Sequence, residues 1–201
     1  MATITKLDAA RRQLLAAIHL HWFFIEPIAV YQLATNASEI CDAILKKSGG
    51  TRIKQHVAEQ QGWEIGQLNA LINVARNFSK HADRDPEAET EDLVFEDCNG
   101  VILTACIDYS MAARRAPDIV GAFIIWFAAT NPEKTGSFLS EEAHSLFPGL
   151  GNMSRSDQIL AARRYVLHPP PSEVLNNARN ELSDFWRWKQ LRSQGQNFRT
   201  E

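Results

Sequence analysis

The sequence predicts an all-α protein, a helical bundle of about five to seven helices that begins with an antiparallel helical hairpin. Apolar residues recur at intervals of three and four over most of the first 130 positions, which is the period of an amphipathic helix. Proline and glycine interrupt this pattern where helices begin and end, and no segment has the alternation of a convincing strand. A length of 201 residues fits one helical domain over 1–201, with a core at about 5–130, a loop-rich stretch at 131–154 and C-terminal helices at 155–201.

Composition narrows the class of protein further. Hydrophobic residues make up 45% of the chain and charged residues 22%, with a net charge of −3, which gives no general attraction to nucleic acid or membranes. The most apolar stretch, 119–129, is about half the length of a spanning helix. The first residues have no apolar run after their charges, so we do not expect a secretory signal there. The three cysteines contain no CxxC pair, which favours a reducing compartment over disulfides or zinc. We therefore expect a cytoplasmic protein with no cofactor, no metal and no membrane partner.

The first two helices are predicted by their caps and by one apolar stripe each. Thr5 and Asp8 form a capping box that begins a helix reaching about Phe24. Its inner stripe continues to Ile25. Pro27 suits the first turn of a second helix, which runs to about residue 47 before the glycines at 49–50. The inward positions predicted for the two helices are Leu7, Leu14, Ala17, Ile18, His21, Ile25, Val30, Leu33, Ala34, Ala37, Cys41 and Ile44.

After a short helix over 51–60, a helix at about 64–82 concentrates polar side chains near its end. A step of about 100° per residue divides it into two faces, and we expect the apolar face to pack against the bundle. The apolar face comprises Leu68, Leu71, Ala75, Phe78 and Ala82. The polar face comprises Asn73, Asn77, Lys80 and Arg84, with Arg76 and His81 on its flanks.

The remaining chain begins with an acidic connector and continues as helices and loops. Eight acids and one arginine lie between positions 81 and 97. Helices are predicted over about 97–115 and 118–129. The alternative for the first of these regions is a short extended piece at 93–95 with a hairpin turn at Asn99 and Gly100. Residues 131–154 read as loop with one helical turn near 141–146. Ser156 is the expected cap of a helix to about Leu167, and Ser172 the cap of a last amphipathic helix.

The segment 76–81 reads R-N-x-x-x-H and resembles the signature of HEPN domains, small helical bundles that include metal-independent ribonucleases of toxin and defence systems. The resemblance implies a motif late in a helix and pairing of the motif across a homodimer. Cleavage through a 2′-hydroxyl needs a group that exchanges protons near neutral pH, which suits His81. Arg76 could hold the phosphate with its planar fork, and Asn77 could orient the imidazole.

A second resemblance covers roughly residues 5–130. Residues 77–86 read N-F-S-K-H-A-D-R-D-P, which is similar to the N-F-x-K-H-A-D-x-D-P motif of an uncharacterised family of bacterial proteins. The position of Arg76 is not part of that motif. Many HEPN ribonucleases have tyrosine where Asp83 stands here, and the acidic connector would repel an RNA backbone.

These patterns allow three interpretations of the polar end of the helix at about 64–82. It could be a structural cap in which Lys80, His81 and the following acids pair, a binding or regulatory site, or an endoribonuclease centre. We expect the chain to form a homodimer. If it is a ribonuclease, RNA or an antitoxin-type protein is a further expected partner. The candidate catalytic residues are Arg76, Asn77 and His81. The candidate ligand-binding residues are Asn73, Lys80, Asp83, Arg84 and Asp85.

Other reactive side chains are predicted to be structural. His21 falls on the apolar stripe of the first helix and reads as a core histidine with a hydrogen-bond partner. Cys41 and Cys106 lie on apolar stripes and should pack as small hydrophobic residues. Cys98 lies beside acids, which raise a thiol pKa and make a poor nucleophile.

Overall fold

A computed structural model of the chain confirms the all-helical prediction. It describes residues 3–80, 83 and 85–168, together with the backbone of residues 180–181. Seven of the nine α-helices in the described part of the chain have eight or more residues. They fall into two compact units, Met1–Arg114 and Arg115–Glu201.

The first unit contains five helices around a core formed by three of them. The elements are α1 (Lys6–Phe23), α2 (Pro27–Ser48), α3 (Ile53–Gln60), α4 (Ile65–Lys80) and α5 (Phe95–Ala113). α1 and α2 form the predicted hairpin, and α2 also packs along α5. The largest fully buried side chains of this unit are Leu14, Ile18, His21, Trp22, Val30, Ile102 and Tyr109.

The helix ends follow the local chemistry of the sequence. Thr5 and Asp8 form the predicted capping box of α1, and Pro27 occupies the first turn of α2. Gly49 ends α2 with a φ of 69°, a left-handed conformation that glycine adopts without steric cost. The α5 helix begins at Phe95, so the helical alternative for this region is the correct one.

Two predictions for this unit are wrong. Ile25 is not on the inner stripe of α1, because the helix ends at Phe23. The residue instead has a φ of 54° and is 47% exposed. On α4, Leu71 and Phe78 do not pack against the bundle, as described below.

The second unit is built around α6 (Asp118–Thr130). It continues through α7 (Pro132–Thr135), α8 (Ser140–Leu146), a 3-10 turn (Leu150–Asn152) and α9 (Arg155–Leu167). The buried indole of Trp126 donates to the Gln158 carbonyl at 2.9 Å and thereby joins α6 to α9. The N-cap of α9 is Ser154, two residues before the predicted Ser156.

A two-residue strand pair was not predicted. β1 (Ala116–Pro117) lies parallel to β2 (Asn180–Glu181). The β2 residues fall where the sequence predicts the last helix, and the rest of that predicted helix lies outside the described residues. No helix in the described part of the chain is long and apolar enough to cross a membrane.

Candidate functional site on the fourth helix

The α4 helix is held against α2 by side chains of α2 that reach its main chain. The Tyr31 hydroxyl donates to the Ile72 carbonyl at 2.9 Å, and the Gln32 amide donates to the Arg76 carbonyl at 3.0 Å. These bonds fix which side of α4 faces the bundle. The inward side contains Leu68 and Ile72, and Leu68 is the one α4 residue that is buried.

Arg76 belongs to this inward side and binds α2. Its guanidinium forms an ion pair with Glu39 and donates to the Asn36 side chain at 3.2 Å and to Asn73 at 3.4 Å. The Arg76 side chain is only 12% exposed. The arginine therefore ties α4 to α2, and it would have to leave Glu39 before it could bind a phosphate.

The outer side of α4 carries apolar residues that the sequence pattern assigned to the core. Leu71 is 60% exposed, Val74 62% and Phe78 39%. Their spacing of three and seven places them on one stripe of the helix. The stripe faces solvent because the bonds to α2 turn the opposite side, including polar Arg76, toward the bundle.

The polar patch predicted at the end of α4 is only partly brought together among the described residues. Asn77 and Lys80 are exposed, whereas Asn73 is half-buried beside Arg76. Asp83 and Asp85 are exposed, and so is the acidic connector over 85–92. His81 and Arg84 lie outside the described residues, so their part in the polar patch stays a prediction.

A buried polar cluster in the same unit was missed by the sequence reasoning. Asp108 on α5 is completely buried, accepts from the Ser38 hydroxyl at 2.9 Å and caps the first N–H of α3, at Ile53, at 3.4 Å. Burial raises its pKa to about 6, although these two donors and Lys54 oppose the shift. The sequence indicates this site only by a single aspartate within an apolar stripe. The partners of Asp108 could not be identified from the sequence, because they are 70 and 55 residues away.

The histidine and cysteine predictions are confirmed. His21 is buried, with Nε2 2.8 Å from the Asn99 side-chain oxygen and its ring stacked on Phe95. The three thiols are free and buried. Burial is the main cause, and nearby acids a smaller one, that raises the pKa of Cys41 and Cys98 to about 12. Neither thiol is therefore a nucleophile near neutral pH.

Within the described residues, no three histidine, cysteine or acidic side chains are grouped so that they could hold a metal ion. Comparison with known proteins finds no match to this chain among family models, curated proteins or solved structures. The candidate site therefore depends on its own geometry: an exposed apolar stripe, defined by Leu71, Val74 and Phe78, beside a polar helix end and an acidic connector.

Proposed function

We propose that this chain is a cytoplasmic helical binding module that associates through the outer side of α4, first with a second copy of itself. The observation that carries the proposal is the exposed apolar stripe of Leu71, Val74 and Phe78. Contiguous apolar surface of this kind on a folded domain is typical of an interaction site. The three buried free thiols agree with a reducing compartment.

The charge distribution of α4 favours self-association. Between Glu64 and Lys80 the helix has one charged side chain, Arg76, which is turned inward and paired. The outer side is thus about 22 Å of helix surface without a charge, by the rise of 1.5 Å per residue. Two identical uncharged surfaces can meet without like-charge repulsion, as a two-fold symmetric interface requires.

The geometry of such a pair follows from the position of the stripe. With two α4 helices antiparallel about a point between Val74 and Ala75, Leu71 of one copy faces Phe78 of the other. The two acidic connectors then lie at opposite ends of the helix pair, which keeps their negative charges apart.

Polar residues lie beside the apolar stripe, so the proposed interface would have the composition that is usual for protein interfaces. Asn77 and Lys80 are exposed next to Phe78, as a polar rim surrounds an apolar centre in protein interfaces. In this proposal Asn73, Lys80, Asp83, Arg84 and Asp85 contribute to binding and recognition, and not to catalysis.

The competing function is a metal-independent endoribonuclease that uses Arg76, Asn77 and His81. The R-N-x-x-x-H pattern supports it. The ion pair of Arg76 with Glu39 counts against it, because an arginine that stabilises a transition state must be free to meet the developing charge. The exposed acids of the connector also disfavour an RNA ligand.

Sedimentation equilibrium tests the proposed association. We expect wild type to be dimeric at micromolar concentration, and Val74→Asp to weaken the dimer by at least about 100-fold, because each interface would bury two new carboxylates. Ile4→Asp is the matched control, since Ile4 is also an exposed β-branched residue, at 55%. A monomeric wild type, or equal weakening by both changes, would refute the proposal.

A cleavage assay separates the two functions. Mixed-sequence RNA is incubated in EDTA with wild type, Arg76→Ala and His81→Ala. The binding-module proposal predicts no cleavage by any of the three proteins. Cleavage by wild type that disappears in both variants would establish the ribonuclease function instead.

A further inference from the structure

The second unit contains an open apolar groove that the proposed function does not use. One wall is formed by α9 and the other by the segment that follows α8, and the groove has a cavity volume of about 810 Å³. That volume lies within the usual range of small-molecule sites, roughly 300–1,000 Å³. The floor is buried, with Phe147 3% and Leu150 2% exposed.

The rim of the groove is apolar as well. Met153 is 46% exposed and Leu160 42%, and both line the groove. Phe147 and Tyr165 approach each other across its floor with ring centroids 5.8 Å apart. A ligand that filled this space would contact aliphatic and aromatic groups from both walls.

Two polar residues of the lining are already engaged by the ends of α9. Asp157 accepts from the Ser154 hydroxyl at 2.7 Å in the N-terminal cap. The His168 ring nitrogen Nδ1 lies 2.6 Å from the Arg164 carbonyl and closes the C-terminal turn. The carboxylate of Asp157 and the Nδ1 atom of His168 therefore have hydrogen-bond partners within the protein and do not indicate a ligand.

Arg164 differs from these two residues. It is exposed, it lines the groove one turn beyond Leu160, and no carboxylate in the described part of the chain forms an ion pair with it. An unpaired guanidinium at the edge of an apolar groove is complementary to an anion with an apolar body. The planar fork of arginine matches the two oxygens of a carboxylate.

We propose that this groove binds a carboxylate with an apolar chain or ring, whose carboxyl group meets Arg164 while its apolar body lies between Leu160, Met153 and Phe147. The site is independent of α4 and of the association proposed for the first unit. It selects for negative charge at one end and for apolar volume along its length.

The test is calorimetric titration of the full chain with dodecanoate, below its micelle concentration. Dodecyltrimethylammonium is the probe for charge, and acetate is the probe for the apolar body. We expect saturable binding of dodecanoate, at least tenfold weaker binding of the cation, and no measurable binding of acetate.

Variants locate the binding within the groove. Arg164→Gln should weaken dodecanoate binding about tenfold, whereas Arg155→Gln, the same change on the same helix but outside the groove lining, should not alter it. Leu160→Gln should weaken binding without changing the preference for the anion. No saturable binding to wild type, equal binding of the cation, or equal loss in both arginine variants would overturn the proposal.

Discussion

The buried carboxylate of Asp108 makes the stability of the first unit depend on pH. Asp108 holds together three helices, since it accepts from Ser38 on α2 and from the first N–H of α3 while it belongs to α5. Burial favours the neutral carboxyl group and nearby Asp42 acts in the same direction, and together they outweigh the two hydrogen-bond donors and Lys54, which favour the ionised form. Its pKa is therefore about 6 in the folded protein, against an ordinary value of 3.8.

The sign follows from proton linkage. A raised pKa means that the folded state holds the proton more tightly than the unfolded state. The stabilisation from protonation is complete below pH 3.8 and is lost as the pH rises through 6. A difference of about two pKa units corresponds to up to about 3 kcal/mol of unfolding free energy.

The perturbation is Asp108→Asn, which keeps an oxygen acceptor for Ser38 but removes the titration. Urea unfolding of both proteins from pH 4 to pH 8 gives the free energy of unfolding at each pH. We expect wild type to lose up to about 3 kcal/mol relative to the variant over this range. Glu87→Gln, in the exposed connector, keeps Asp108 and should show the same loss relative to Asp108→Asn as wild type does. A constant difference between Asp108→Asn and wild type at every pH would refute the reasoning.

Three further changes test the local structure by urea unfolding. Arg76→Ala should lower the free energy of unfolding by about 1–2 kcal/mol, because Glu39 loses its ionic partner. A double-mutant cycle with Glu39→Ala should show that the two changes are coupled, and additive effects would argue against the ion pair. Ile25→Gly should raise stability by up to about 1 kcal/mol, since it relieves a positive φ; a loss would contradict the strain. Ser154→Ala should cost about 1 kcal/mol and Ser156→Ala almost nothing; the reverse order would restore the predicted cap.

The helix ends could be predicted from the sequence because each depends on a few neighbouring residues. The Thr5 capping box, Pro27 in the first turn and Gly49 in the left-handed conformation all act within one helical turn. The burial of His21 could be predicted for the same reason, from its position on an apolar stripe. Its partner Asn99 could not, because the two residues are 78 positions apart.

The orientation of α4 could not be predicted from its own pattern. The sequence pattern places Leu71 and Phe78 inward because apolar residues are usually buried. The observed orientation is set by long-range bonds from Tyr31 and Gln32, and by the ion pair of Arg76 with Glu39. Because these contacts turn Arg76 toward the bundle, they leave Leu71 and Phe78 exposed, and the proposed function depends on that exposed stripe.

The cap of α9 shows a smaller limit of the sequence reasoning. Ser154 and Ser156 are both reasonable caps in isolation, and the structure uses Ser154, whose hydroxyl accepts from the Asp157 N–H at 3.2 Å. The strand pair of β1 and β2 depends on main-chain positions more than 60 residues apart, and no local pattern marks it.

Photo-cross-linking from α4 tests the central claim most directly. A benzoylphenylalanine placed at position 74, in the middle of the stripe, should give a covalent dimer on irradiation at micromolar concentration. The same group at position 4, where Ile4 is 55% exposed against 62% for Val74, should not. A dimer band specific to position 74 is the result we expect. No dimer from position 74, or equal yields from both positions, would contradict the assignment of this surface as the interface.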